Sequence, residues 1–227
     1  MDRSSCLPHE DILKQLHHRV KNNLQVICSL LRLQAHYSPD EATRMMFRNS
    51  EQRIRSMALV HEKLCKHNDP SAVQFDEYVI DLVSQLLKSR KGGGARPRVE
   101  FQLEGIRLSI EQAVPCGLLL NELISNSLQH GCVGDSPALR VGMRRSGDEV
   151  ELFVEDCGPG LPQALDPESP GTLGLKVVQA LGRQLGATLS FGGNHGFHLR
   201  VRFPYREPPQ AHEDTTFVLP SRVGAPY

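Results

Sequence analysis

Tryptophan is absent from the 227 residues, and aromatic side chains make up only 5% of them. The core must therefore be built from Leu, Val and Ile rather than from large aromatic plates. Charge of one sign is not in excess either: 26 Lys and Arg meet 26 Asp and Glu. A general nucleic-acid binder needs a basic field, and a balanced chain offers none. No apolar run approaches the ~20 residues that cross a bilayer. Asp2, Arg3 and His9-Glu10-Asp11 interrupt any signal-peptide core. Six cysteines, Cys6, Cys28, Cys65, Cys116, Cys132 and Cys157, form neither a CxxC pair nor a zinc-like spacing with histidine. They read as small hydrophobes in a reducing compartment, so the chain is expected to be soluble and cytoplasmic.

Between Glu10 and about Ala35 neither Pro nor Gly occurs. Apolar residues at Leu13, Leu16, Val20, Leu24, Ile27 and Leu31 step by three and four, which marks one helix face. Such a helix is about 40 Å long. Tyr37-Ser38-Pro39-Asp40 supplies a turn, and Ile54, Met57, His61 and Leu64 carry the period into a second helix. This predicts an antiparallel helical hairpin over residues 9–69. So narrow a seam buries little area alone, and pairing with a second copy into a four-helix bundle completes it.

After His67-Asn68-Asp69-Pro70 the pattern changes. Phe75 to Leu87 reads as a short helix, and Lys88 to Arg98, with Gly92-Gly93-Gly94 inside, as a basic flexible connector. Val99 to Leu103 alternates like a strand, and Ser109 to about His130 is helical. Ala138 to Arg145 and Glu149 to Glu155 read as strands joined by turn residues Ser146-Gly147-Asp148. A helix from Gly174 to Leu185 and strands at 187–192 and 197–203 follow. The expectation for 70–205 is an α+β layer, a sheet covered by helices on one face. Residues 206–227, with four prolines from Glu207 onward, predict a disordered tail.

Four stretches carry chemistry. In His17-His18-Arg19-Val20-Lys21-Asn22-Asn23 the two histidines face about 100° apart, and Asn22 lies one turn after His18. A neutral imidazole is a nucleophile that can accept a phosphoryl group, and Arg19 and Lys21 can hold phosphate oxygens. In Asn121-Glu122-Leu123-Ile124-Ser125-Asn126, Glu122 and Asn126 share a helix face, and a carboxamide oxygen suits Mg²⁺. Glu155-Asp156-Cys157-Gly158-Pro159-Gly160 closes a strand with a carboxylate able to accept an exocyclic amine. Gly171-Thr172-Leu173-Gly174 leads straight into a helix, whose N-terminus favours a polyphosphate. It matches neither a Walker loop nor a Rossmann fingerprint. Taken singly, each stretch is equally what a solvated face, a turn or a cap looks like.

Their order is more specific. An Asn helix, then strand-DxGxG, then GTLGL-helix resembles the ATP site of the GHKL superfamily. Placed after a hairpin carrying HHRVKNNLQ, with Ala58-Leu59-Val60-His61-Glu62 near its end, it resembles sensor histidine kinases of the HRVKNN-box, HWE-related subfamily. The likeness spans about residues 9–205. It implies an α+β chain in which the dimerising hairpin is followed by a GHKL-type α/β sandwich. It implies His18 as phosphoacceptor, Asn126 as ligand of Mg²⁺ between ATP phosphates, and Glu122 as base or water-orienting group. Asp156 would read the adenine amine, Gly158 and Gly160 would shape the adenine side, and Gly171 and Gly174 would border the phosphates. The implied reaction passes phosphate from ATP to His18 and on to an aspartate of a separate response regulator. Asn22 stands where many such kinases position water for dephosphorylating the regulator. The expected partners are a receiver domain, a second copy and a separate sensor protein, with neither nucleic acid nor membrane.

The chain departs from the pattern at several points. Arg19 replaces the usual acid after the phosphoacceptor, and Gln129 replaces a phosphate-binding Lys. Phe197 and His198 stand where relatives have Thr, which removes the side chain for a water-mediated adenine contact. The lid from Leu161 to Pro170 is short. The given residues leave room for neither a sensor before His9 nor a receiver at the other end, so the expectation is that another protein supplies the signal or that the chain is a fragment. Two other readings compete: a phosphotransfer adaptor with a degenerate ATP site, and a GHKL serine kinase or ATPase with the hairpin as dimeriser only.

Overall fold

The computed structural model describes residues 9–66, 69, 71–89, 96–132, 138–160, 173–192 and 196–208. Helices α1 (His9–Tyr37) and α2 (Glu41–Lys66) form the expected antiparallel hairpin. Asp40 caps α2: its carboxylate accepts the Thr43 N–H at 2.7 Å and the Thr43 hydroxyl at 2.8 Å. Those bonds hold the Asp40 carboxyl below its ordinary range.

The seam differs in detail from the periodicity. His17, Cys28 and Ala35 are the buried residues of α1, whereas Leu16 and Ile27 are 53% and 41% exposed. They belong with Ile12, Val26, Leu30 and Leu33 on faces of α1 that α2 does not cover. A helix with apolar residues on more than one side has no single amphipathic face for a period to find.

Strands β1 (Ala72–Gln74) and β3 (Arg107–Ser109) pair antiparallel in a small two-stranded sheet around α3 (Phe75–Ser89) and β2 (Arg98–Leu103). Neither short strand is visible in the sequence pattern, since three residues carry too little alternation. The connector is shorter than expected, because Lys88 and Ser89 still belong to α3; residues 90–95 lie outside the described residues.

The main sheet has the order β2, β4 (Ala138–Ser146), β5 (Glu149–Asp156), β7 (His198–Pro204), β6 (Thr188–Gly192). β2 runs parallel to β4 and all other neighbours are antiparallel. Alternation sorts the two faces. Leu139, Val141 and Met143, Val150, Leu152 and Val154 are at most 1% exposed and meet the helices. The other face carries charge in register: Glu151 accepts from Arg144 at 2.7 Å and from Arg202 at 2.6 Å. Opposite charges on neighbouring strands keep that open face soluble without a second helical layer.

Helix α4 (Ile110–Asn126) and helix α5 (Leu173–Leu185) cover the inner face. Gln112, 2% exposed, clamps the chain after β7 by donating to Pro204 O at 2.8 Å and accepting from Arg206 N at 3.1 Å. The helical stretch expected to reach His130 divides in two. After Asn126 the chain continues as a π-helical turn, Ser127–Gly131, closed by Cys132 N donating to Ser127 O at 2.6 Å. Leu59, Val60 and Leu64 of α2 enter one apolar cluster with α3, α4 and the sheet, so the hairpin and the sheet module share a core. Cys28, Cys65, Cys116, Cys132 and Cys157 are all free thiols, in agreement with the cysteine spacing. The tail from 209 lies outside the described residues.

Candidate active site

The two histidines of α1 have opposite surroundings. His17 is 7% exposed and its Nδ1 lies 3.1 Å from Nδ1 of His61 on α2. One ring donates and the other accepts. Burial, then the neighbouring His17, pushes the His61 pKa down. His18, one residue on, is exposed, and so is Asn22 one turn later. The hairpin thus buries one imidazole in its seam and presents the next to solvent, as a 100° step requires.

The second half of the site is built by backbone. Asp156, the last residue of β5, accepts the N–H of Gly158 at 3.0 Å and of Phe197 at 3.1 Å, both on Oδ1. Asp156 N–H in turn donates to Phe197 O at 2.9 Å. Among the described residues nothing donates to Oδ2, which leaves it for an exocyclic amine. Phe197 therefore holds the carboxylate through its amide, where the sequence suggested a lost side-chain contact.

Two glycines make this approach feasible. A Cβ on Gly131 would lie 2.1 Å from Asp156 Oδ2, so only a bare backbone fits beside the carboxylate. Gly196 has φ +109, and a Cβ there would lie 2.0 Å from Asp156 O. Gly131 reaches Asp156 because the π-helical turn widens the end of α4, a feature that recurs at functional sites. Neither Gly131 nor Gly196 was singled out by sequence; both are signalled only by glycine at the ends of the flanking motifs. Gly158 packs against Gly131, its Cβ position 2.4 Å from Gly131 Cα, and Gly160 has φ 76.

On α4, Glu122 and Asn126 face the start of α5. A Cβ on Gly174 would sit 3.3 Å from Glu122 Oε2 and 3.5 Å from Asn126 Nδ2. Gly174 lies in the first turn of α5, so the N–H groups and dipole end of that helix lie beside these side chains, and the turn carries no acidic residue. Nearby in sequence, Asn121 Oδ1, Ser125 Oγ and Ser127 Oγ are buried with no hydrogen-bond partner among the described residues. Hard oxygen donors beside a helix N-terminus fit a divalent cation that shares its shell with phosphates. Gln129 is exposed. Gly171 and the lid lie outside the described residues. Arg53 of α2 was not anticipated. It donates to both oxygens of Glu122 at 2.8 Å, and that bonding raises the Arg53 pKa.

Among the described residues no helix is long and apolar enough to cross a membrane. Two families match the chain: "Histidine kinase" over residues 15–90 and "Histidine kinase-, DNA gyrase B-, and HSP90-like ATPase" over 111–220. The sensor histidine kinase PdtaS of Mycolicibacterium smegmatis is 29% identical over 196 residues, 86% of this chain and 38% of that protein. Blue-light-activated histidine kinase 2 of Erythrobacter litoralis is 29% identical over 198 residues, 83% of this chain and 55% of that protein. The chain thus spans only part of these relatives. In fold it is similar to the histidine kinase domain of a blue-light activated histidine kinase from Erythrobacter litoralis, with a TM-score of 0.64 at 23% identity, covering 86% of this chain and 94% of that one. An exposed histidine on a hairpin, followed by an Asn helix and then a glycine-lined carboxylate, accompanies both matches: the chain belongs to the histidine kinases, with a GHKL-type ATPase module.

Proposed function

We propose that the chain is an ATP-dependent protein-histidine kinase of a two-component system. The observation that carries this is the pairing, in one molecule, of exposed His18 with the cradle formed by Asp156, Gly131 and the Phe197 amide. A ring nitrogen of His18 attacks the γ-phosphorus of ATP. An N–P bond forms, the P–O bond to the bridging oxygen breaks, and ADP leaves with the electron pair. Asp156 binds the adenine amine, Gly158 and Gly160 shape that side of the pocket, and Gly174 borders the phosphates; Gly171 is assigned the same border role from its motif alone. Asn126 holds Mg²⁺, which neutralises charge on the phosphates when bound. Glu122 orients the histidine or takes its proton.

The phosphoryl group then passes to an aspartate of a response regulator, and Asn22 positions water when the regulator is dephosphorylated. A second copy covers α1: Ile12, Leu16, Val26, Leu30, Leu33 and Tyr37 are 52% to 80% exposed. That much apolar surface on a monomer favours a bundle partner. The kinase acts in the cytoplasm, where free thiols persist. An adaptor with a degenerate ATP site would not need the adenine-side carboxylate held by two backbone amides, which favours the kinase.

The test is incubation with γ-labelled ATP and Mg²⁺. Acid-labile, base-stable label that disappears in His18→Ala is the expected result. Acid-stable label, or label that survives in His18→Ala, overturns the assignment.

A further inference from the structure

Arg53 stands on the hairpin and Glu122 on α4, 69 positions later. The guanidinium gives Nε–H to Oε1 and Nη2–H to Oε2, each at 2.8 Å. Asn121 Nδ2 approaches Oε1 at 3.4 Å. The Glu122 side chain is 9% exposed and the Arg53 side chain 22%. Such a fork takes one lone pair of each carboxylate oxygen and fixes the direction of the group, so the carboxylate cannot turn toward an imidazole without leaving Arg53.

The hairpin supplies a ruler. Across it, His17 meets His61, the Cys65 thiol meets Lys14 O, and the Cys28 thiol meets Glu51 O. His18 is therefore level with the region of His61, while Arg53 lies eight residues away along α2. At 1.5 Å per residue that is about 12 Å of axial separation. The fork ties Glu122 to the Arg53 level of the hairpin, and meeting His18 means closing that offset of about 12 Å. A second copy does not remove the gap, because in a bundle whose two-fold axis runs along the helices its His18 stands at the same height. The apolar contact of Leu59, Val60 and Leu64 with the sheet module is non-directional and can re-form after a shift. The bidentate pair fixes one register.

We infer that Arg53 holds the nucleotide module in a resting register and keeps Glu122 closed, and that phosphoryl transfer to His18 requires this pair to open. The inference rests on the assignment of His18 and Glu122 above. Arg53 is in this sense a positioning residue, acting through Glu122 rather than on the substrate.

The test compares Arg53→Gln and Arg53→Lys with the parent, each as the full chain, by initial rate of labelling from γ-labelled ATP. Arg53→Gln should label about five- to tenfold faster, the size of a common coupling between sites, with an unchanged KM for ATP. Arg53→Lys, which keeps the charge but cannot form the fork, should fall between the parent and Arg53→Gln. A folded Arg53→Gln that labels no faster overturns the inference. Hydrogen exchange on the parent gives a second reading that needs no variant: amides of 49–56 and 118–126 should exchange faster during turnover than without nucleotide. Unchanged or slower exchange there also overturns it. Failure of the underlying assignment looks different: in the Arg53→Gln background, where no fork remains, adding Glu122→Gln would then leave the labelling rate unchanged.

Discussion

His18 stands exposed on one helix built by one continuous stretch of sequence, whereas Asp156 sits where four separate stretches converge. The end of α4 brings Gly131, β5 brings the carboxylate, the turn after β5 brings Gly158, and the approach to β7 brings Gly196 and Phe197. The difference is one of dimension. A phosphoacceptor needs one ring, one helix and access to solvent. A purine site needs backbone segments within van der Waals contact of a ligand, so its geometry is spread over residues distant in the chain. The first kind of site fails by chemistry when its one residue is changed. The second fails by shape, at residues that touch no substrate.

The sharpest break in the comparison is His18→Ala. It should abolish labelling while ATP affinity, measured by calorimetry, stays at the parent value; a loss of affinity would mean the two ends are not separable. Next is Leu64→Ala, in the core that α2 shares with the sheet module, where Leu64 is 0% exposed. It should cost about 2–5 kcal/mol in denaturant unfolding, with hairpin and sheet signals lost together; two separate transitions would show that the core is not shared. Gly131→Ala should weaken ATP binding at least about tenfold, roughly 1.4 kcal/mol. Its methyl would enter within 2.1 Å of Asp156 Oδ2, whereas Gly105→Ala, with nothing within 4 Å of the new methyl, should bind as the parent does. Equal affinity in both variants would remove the shape argument.

The smallest effect concerns the buried histidine pair. The His61 pKa is pushed below its ordinary value of 6.5 by burial first and by His17 second. Well above 6.5 neither the folded nor the unfolded His61 carries a proton, and the stability is fully present. As pH falls through that value the unfolded chain takes up the proton first, so stability is lost until the lower folded pKa is reached. The melting temperature should therefore drop between about pH 7.5 and pH 5.5 more steeply in the parent than in His61→Gln. Equal slopes would show that the pair does not titrate with folding.

Much of the architecture was legible. Both hairpin helices, α3, α5 and the strands β2, β4, β5, β6 and β7 lie within a few residues of where period and turn residues put them. Local pattern suffices there because each element buries one face. The three-residue strands β1 and β3 were not legible, being too short for alternation to register. The π-helical turn was hidden because Ser127–Gly131 continues the helical composition of α4. Phe197 looked like a lost contact because a sequence lists side chains, and the bond that matters runs from its amide. Arg53 read as one cation among many on a polar helix face, since its partner lies 69 positions away.

What the sequence determined by itself is the list of reactive groups and their order: the imidazoles of α1, the carboxamide and carboxylate of α4, and the acid and glycines after β5. Those follow from residue type and from periods of 3.6 and 2, which are local properties. The tertiary structure alone decided which of two adjacent imidazoles is buried against His61, which backbone amides hold Asp156, and which cation holds Glu122. Each of those is a contact between segments far apart in the chain, fixed by how a shared apolar core seats one element on another.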